Sequence, residues 1–300
     1  MSANKAAAAT APGKGLVPPS GAAKTTYIIT GASRGLGRAI ALEATEAAAI
    51  LDNQNHACVQ FVLVARSLED LVETARAMTS IWNKAETIMS TTLLTITKVI
   101  DLSDLETLEA KWDETIASII FDSDQVVFIN NAGILGHLGP CSTTPSLKDM
   151  QQTVDLNVTS SLWLSSRLIQ QAKMANIASL TIVNISSLVA ISNDFVTMGI
   201  YSACKGASDK YHTIMAKEEE TNEPSSTLPV IKILNYAPGP LETKMTEQLR
   251  NAAQLDKTLQ ENFNKPLIQA RDSAKKLMRL LQENTWENGA HIDYYDLPET

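Results

Sequence analysis

The sequence predicts an α/β fold on a doubly wound parallel sheet, a single domain, and three observations carry that prediction. Short, nearly continuous apolar runs recur along the chain, as parallel strands covered on both faces require. Each is followed by a stretch of helical length, so strand and helix alternate without an interrupting linker. Polar and glycine-rich positions gather just after the apolar runs, at Gly31, Arg66, Asp101, Asn131, Ser187 and Pro238. Open α/β sheets bind ligands there, outside the carboxyl ends of their strands.

The elements follow in order. Tyr27-Ile28-Ile29 is a strand, and Leu36–Ile50 the helix after it. A polar turn, Asp52-Asn53-Gln54-Asn55, leads to the strand Cys58–Ala65, which ends at Arg66-Ser67, and a helix runs from Leu68 to about Trp82. Leu93–Ile100 is the third strand. The helix Asp104–Phe121 carries Leu105, Leu108, Trp112, Ile116 and Ile119 at helical period. The strand Gln125–Ile129 ends at Asn130-Asn131-Ala132-Gly133, and one long helix is expected from Asp149 to Asn176. The strand Leu180–Ile185, the helix Tyr201–Glu220 and the strand Val230–Asn235 come next, then a helical flap over Thr246–Gln269, a helix from Asp272 to Gln282 and a short strand near Ala290–Tyr294.

Thr30-Gly31-Ala32-Ser33-Arg34-Gly35-Leu36-Gly37 lies between the first strand and its helix. Glycines admit a phosphate where a Cβ would block it, and the free N–H groups at a helix start hold the anion. The spacing is G-x-x-x-G-x-G rather than the commoner G-x-G-x-x-G, and a glycine-rich turn without a ligand is the plain alternative.

Composition narrows the function classes. Of 300 residues 44% are hydrophobic and 19% charged, with a net charge of -8, which argues against non-specific nucleic-acid binding. No apolar run reaches the ~18 residues of a membrane helix. Cys58, Cys141 and Cys204 form neither a disulfide framework nor a zinc pattern, and the four histidines have no ligand spacing, so no metal site is expected. Residues 1–24 are rich in Ala, Gly, Pro and Ser without an h-region, which excludes a secretory signal; they contain Lys but no Arg, which gives a mitochondrial transit peptide weak support, and a disordered tail is the favoured reading. Residues 25–300 read as the folded domain.

Tyr201 and Lys205, four apart, share a helical face just after the strand that ends in Ser186-Ser187. A lysine cation beside a phenol is expected to lower the phenol's pKa from about 10 and suit it to proton transfer. A serine hydroxyl on the same substrate oxygen would hold it against the tyrosine, an arrangement fit for carbonyl reduction. A surface Tyr–Lys pair is the bland reading of that spacing alone.

Thr30-Gly31-x-x-x-Gly35-x-Gly37, Asn130-Asn131-Ala132-Gly133, Asn157, Ser187, Tyr201-x-x-x-Lys205 and Pro238-Gly239 together resemble the short-chain dehydrogenase/reductases across nearly all of 26–295. The resemblance implies a Rossmann fold, with Tyr201 as general acid/base, Ser187 orienting the carbonyl, Lys205 partnering the tyrosine and the nicotinamide ribose, and Asn157 holding a water in a proton relay. The gap from Ser187 to Tyr201 is fourteen residues where the family usually has thirteen; an insertion in the loop Asn193–Gly199 accounts for it. Taking Ser186 instead would widen the gap.

The cofactor expected is NADPH. The second strand ends in Ala65-Arg66 without the carboxylate that binds a ribose 2′-OH, and Arg34 sits in the glycine loop, so two guanidiniums suit a 2′-phosphate. By resemblance the cofactor also meets Gly31, Ser33, Gly35, Leu36, Gly37, Asp101, Leu102, Asn131, Ala132, Gly133, Tyr201, Lys205, Pro238, Gly239, Leu241 and Thr243. Leu234–Met245, Asn184–Ala190 and the final Asn288-Gly289-Ala290-His291-Ile292-Asp293-Tyr294-Tyr295-Asp296 resemble the sepiapterin reductases within that family. That resemblance implies a pterin substrate of tetrahydrobiopterin synthesis, held by Ser187, Tyr201 and Asp293. A carboxylate can take two N–H bonds from a pterin's amino-pyrimidinone edge; read alone, Asp293 is a solvated carboxylate after an edge strand. A broader carbonyl reductase is the alternative, and a non-catalytic NADPH sensor is disfavoured because Tyr201 and Lys205 are both present. The family also implies a homodimer through the helices Asp149–Asn176 and Tyr201–Glu220, with Leu162, Trp163, Leu164, Leu168 and Ile169 at the contact, and a cytoplasmic enzyme; the same residues could instead only pack on the sheet.

Overall fold

The apolar runs become seven parallel strands in the order β3-β2-β1-β4-β5-β6-β7 in a computed structural model that describes residues 23–51, 56–85, 92–143, 146–221 and 229–298. The strands are β1 Ala23–Thr30, β2 His56–Ala65, β3 Thr92–Val99, β4 Gln125–Asn130, β5 Ser179–Ile185, β6 Val230–Ala237 and β7 His291–Asp293. Chain order reverses between β1 and β4, so the two strand ends that carry the glycine loop and Asn131 open side by side.

Successive side chains of a strand face opposite sides, and here each side is a core. Ile29, Phe61, Leu63, Ile129, Val183 and Leu234 pack under α1 (Gly35–Leu51), α2 (Leu68–Lys84) and α9 (Ala270–Glu283). Their neighbours Ile28, Val62, Val64, Phe128, Ile182 and Ile233 pack under α3 (Leu105–Phe121), α5 (Ser161–Ala175) and α6 (Gly199–Thr221). One three-layer domain results.

Local chemistry sets the helix ends. Ser67 caps α2 by accepting the Asp70 N–H, and Asn176 and Asn284 close α5 and α9 in the left-handed conformation that short polar side chains tolerate. Three expectations need correction. β1 begins at Ala23, so residues 23–24 belong to the sheet rather than the tail; the tail's first 22 residues and the turn 52–55 lie outside the described residues. The long helix expected from Asp149 is interrupted: α4 spans Leu147–Val154, a π-helical turn spans Asp155–Ser160, and α5 follows. The flap is two short helices, α7 Lys244–Arg250 and α8 Lys257–Phe263, around a small apolar cluster that includes Leu249, Leu255, Leu259 and Tyr201.

Candidate active site

The glycine loop is built against the end of β4. Thr30 Oγ1 accepts the N–H groups of Asn131 and Ala132 at 2.9 and 3.1 Å, and Asn131 Nδ2 donates to Thr30 O at 2.8 Å. A Cβ on Gly37 would stand 2.4 Å from Gly31 O, so only glycine lets the helix start this close to the turn. Gly35 has φ +55°, and the nearest side chain to its Cβ position is that of Thr243, 3.6 Å away. The loop and the segment after β6 therefore face each other across a narrow space. Pro238 O accepts the Ser273 hydroxyl at 3.0 Å, and Leu241, paired with Ile268, is buried.

Arg34 and Arg66 are both exposed, and their guanidiniums make no hydrogen bond or ion pair among the described residues. Ala32 N–H donates to Val64 O, which sets the glycine loop beside the end of β2. Glycine loop, helix start and two unpaired guanidiniums with no carboxylate at Ala65-Arg66 form a donor set that fits a phosphorylated dinucleotide. Two residues expected at the adenine lie just past the end of β3. Leu102 is buried in the core under α3, and Asp101 Oδ1 accepts the N–H and hydroxyl of Ser103 at 3.0 and 2.7 Å.

Ser187 and Tyr201 stand at the mouth of the next strand pair. Ser187 is partly exposed and its Oγ accepts only a 3.4 Å bond from the Val189 N–H, which leaves the hydroxyl hydrogen available. Ser186 is buried and its Oγ has no partner. Tyr201 is buried, and its hydroxyl makes no hydrogen bond among the described residues. Lys205 Nζ lies 5.8 Å from the Tyr201 ring centroid and donates to Ile185 O at 2.6 Å.

Here the electrostatics reverse an expectation. Burial pushes the Tyr201 phenol up to about 12, with Cys204 adding to the rise, and burial pulls the Lys205 ammonium down to about 8 against the pull of Asp209 and Cys204. Desolvation acts on both charged forms at once and is the largest cause of each shift. Tyr201 is thus a neutral phenol near pH 7.

Asn157 lies in the π-helical turn, and its side chain brackets one residue of the loop after β4: Oδ1 accepts Ile134 N–H at 2.9 Å and Nδ2 donates to Ile134 O at 2.7 Å. A Cβ on Gly133 would sit 3.2 Å from Asn157 Oδ1 and 3.9 Å from Lys205 Nζ, so glycine keeps the gap between them open. The amide of Asn157 positions the loop and also bonds the Cys204 thiol, which leaves its second Oδ1 lone pair and its main chain for any water.

Asp293 ends β7 opposite Ala237, at the same carboxyl edge. Its Oδ1 accepts the Tyr295 N–H at 3.0 Å, and its own N–H donates to Asp296 Oδ2 at 2.8 Å, so it caps the turn 294–296. The same carboxylate also receives the Asp296 N–H in the capping box of that turn. Composition could not reveal two further features. Thr197, in the lengthened loop before α6, has φ +69°, costly for a β-branched residue, and its Oγ1 accepts Asp256 N–H at 2.8 Å at the start of α8. Asp209, a further turn along the Tyr201 face of α6, is buried and binds His291 across 82 residues; its position eight residues after Tyr201 was the available signal.

The family model for short chain dehydrogenase matches residues 25–254. Sepiapterin reductase from Rattus norvegicus is 35% identical over 179 residues, covering 58% of this chain and 64% of that enzyme, and the enzyme from Bos taurus is 37% identical, covering 57% and 62%. The match thus spans less than two thirds of those relatives. Benzil reductase ((S)-benzoin forming) from Bacillus subtilis (strain 168) is 30% identical over 281 residues, 91% of this chain and 98% of that one. Among solved structures, NAD+-bound xylitol dehydrogenase superposes with a TM-score of 0.70 at 17% identity over 92% of this chain and 99% of its own. No helix of the described residues is long and apolar enough to cross a membrane.

Proposed function

Because this chain belongs to the short chain dehydrogenase family, a family of oxidoreductases, we propose that it reduces the side-chain carbonyl of a pterin with NADPH, the reaction of a sepiapterin reductase in tetrahydrobiopterin synthesis. The observation that carries the pterin half is Asp293, whose carboxylate ends β7 at the carboxyl edge of the sheet opposite Ala237. With the lone pairs its capping bonds leave over, that carboxylate accepts an N–H from the amino-pyrimidinone edge of the substrate. A site built on such a bond rejects molecules that leave the carboxylate unpaired.

Arg34 and Arg66 hold the 2′-phosphate and the N–H groups before α1 hold the pyrophosphate. When bound, the reduced nicotinamide supplies the hydride. Ser187 donates its hydroxyl hydrogen to the substrate carbonyl oxygen and fixes it beside Tyr201. Tyr201, neutral through burial, delivers the proton to that oxygen as charge develops on it. The Lys205 cation, held by Ile185 O one turn further along α6, stabilises the phenolate left behind. The enzyme works as a homodimer in the cytoplasm, paired through α5 and α6.

A broader carbonyl reductase is the second reading, favoured by the alignment with the Bacillus benzil reductase over nearly the whole chain. One assay separates them. Purified protein with NADPH is given sepiapterin, benzil and a simple diketone. Tyr201→Phe should lower kcat on all three by at least ~100-fold. Asp293→Ala should raise KM for sepiapterin by ~10-fold or more, the worth of a lost charge-assisted bond, and leave the diketone unchanged. Sepiapterin kinetics indifferent to Asp293→Ala would remove the pterin assignment and leave the broader reductase standing.

A further inference from the structure

The helix of Tyr201 and the strand of Asp293 are joined by a buried pair, beside bonds from Thr213 Oγ1 to Gly289 O and from Asn288 Nδ2 to Ala216 O just before the strand. Tyr201, Lys205 and Asp209 follow one another at intervals of four on α6 and so share a face. Asp209 is buried, 7% exposed, and its carboxylate is engaged on both oxygens: Oδ1 accepts Asn184 Nδ2 of β5 at 3.1 Å, and Oδ2 lies 2.6 Å from His291 Nδ1. A carboxylate can only accept here, so His291 Nδ1 carries the hydrogen. Asn184 in turn receives Ser208 Oγ of α6 on its carbonyl oxygen and donates to Asn235 of β6. His291 opens β7 and Asp293 ends it, two residues on and on the same face of the strand.

β7 needs such a tie. It is a three-residue strand at the sheet edge, paired only through Asn235, Tyr236 and Ala237. From the other side Lys276 Nζ donates to the carbonyls of Tyr294 and Leu297, which fixes the turn after Asp293 but not the strand before it. A charge-assisted bond out of a buried carboxylate is both strong and directional. His291 Nε2 is buried with no partner, so the ring is placed for its Nδ1 bond alone.

We propose that the Asp209–His291 pair is a positioning device that ties the helix of Tyr201 and Lys205 to the strand of Asp293 and so fixes the span between proton donor and substrate anchor. The proposal rests on the roles given above to Tyr201 and Asp293. A substrate that must reach both, such as a pterin, feels the tie; a small diketone that needs only the donor does not. Misplacing one end of a two-point site by an ångström costs binding and orientation without touching the reacting groups.

The test uses the full chain as wild type, His291→Ala, His291→Asn and Asp293→Ala, assayed with sepiapterin and a small diketone, with hydrogen exchange followed over residues 290–297. His291→Ala should raise KM for sepiapterin ~10-fold with kcat within about twofold, leave the diketone within about twofold, and speed exchange in 290–297. His291→Asn, whose Nδ2 reaches where the imidazole Nδ1 stood, should recover most of the loss. Equal losses on both substrates, unchanged sepiapterin kinetics beside a selective Asp293→Ala defect, or no recovery in His291→Asn each overturn the proposal. If Asp293→Ala itself spares sepiapterin, the pterin reading has failed on its own; faster exchange in His291→Ala then still supports the tie, and unchanged exchange overturns it.

Discussion

Tyr201 shows what a motif carries and what it leaves open. The four-residue interval to Lys205 was plain in the sequence, because helical spacing alone puts the two side chains together. The direction of the pKa shift was not, because desolvation depends on residues far along the chain: Tyr201 is buried in one apolar cluster with Leu135, Val189, Leu249, Leu255 and Leu259. Burial holds the phenol at about 12 and brings Lys205 to about 8. The consequence for rate has a definite sign. Below pH 7 Lys205 is fully cationic and Tyr201 fully protonated; as pH rises through about 8 the lysine charge is lost while the phenol keeps its proton. Reduction measured as kcat/KM should be flat at the acid end and fall by ~10-fold per pH unit above 8, governed by one ionisation. A rate that climbs above pH 8 would mean that the phenolate is the working form. Asp209 and His291 escaped the sequence for a related reason: a pair 82 residues apart has no local spacing, and histidines judged by ligand pattern look idle.

At the scale of elements, all seven strands and the order of the helices were legible, since period and turn chemistry are local properties. The breaks were not. A π-helical turn adds one residue to a helical turn without changing the hydrophobic pattern enough to be seen, and it is where Asn157 reaches the loop after β4. The helices expected at a dimer contact divide in the structure. Leu164, Leu168 and Ile169 of α5 are buried against the sheet, as the plainer alternative had it. The outward faces instead carry Met174 on α5 and Tyr211 and Ile214 on α6, all exposed, with Tyr211 hydroxyl bonded to Ser166 at 2.6 Å. The dimer proposed above must use these. Light scattering should return about twice the 32.5 kDa chain mass, and Ile214→Lys should shift the mass toward one chain, since a charge desolvated in an apolar contact is costly. A single-chain mass for the unaltered protein would dismiss the pairing.

At the scale of the whole molecule, a chain of net charge -8 has to draw in an anionic cofactor. Overall charge repels it, so the proposed binding mode makes the attraction local, through N–H groups before α1 and the guanidiniums of Arg34 and Arg66. Backbone donors are short-ranged and serve NADH and NADPH alike. The two arginines are exposed and unpaired, so their pull on a 2′-phosphate passes through solvent and is screened by salt, with a Debye length of ~10 Å at 0.1 M. Preference for NADPH and sensitivity to ionic strength should therefore come from the same two side chains and disappear together. Wild type should favour NADPH over NADH by ~10–100-fold in kcat/KM at low salt, each charged hydrogen bond being worth ~1.5–3 kcal/mol before screening. Raising salt from ~0.02 to ~0.5 M should raise KM for NADPH severalfold and move KM for NADH much less. Arg34→Ala with Arg66→Ala should bring the two cofactors close to parity and flatten the salt curve. Equal or better use of NADH by the unaltered enzyme would end the clamp, and a salt curve that survives both substitutions would assign the electrostatic attraction to other residues.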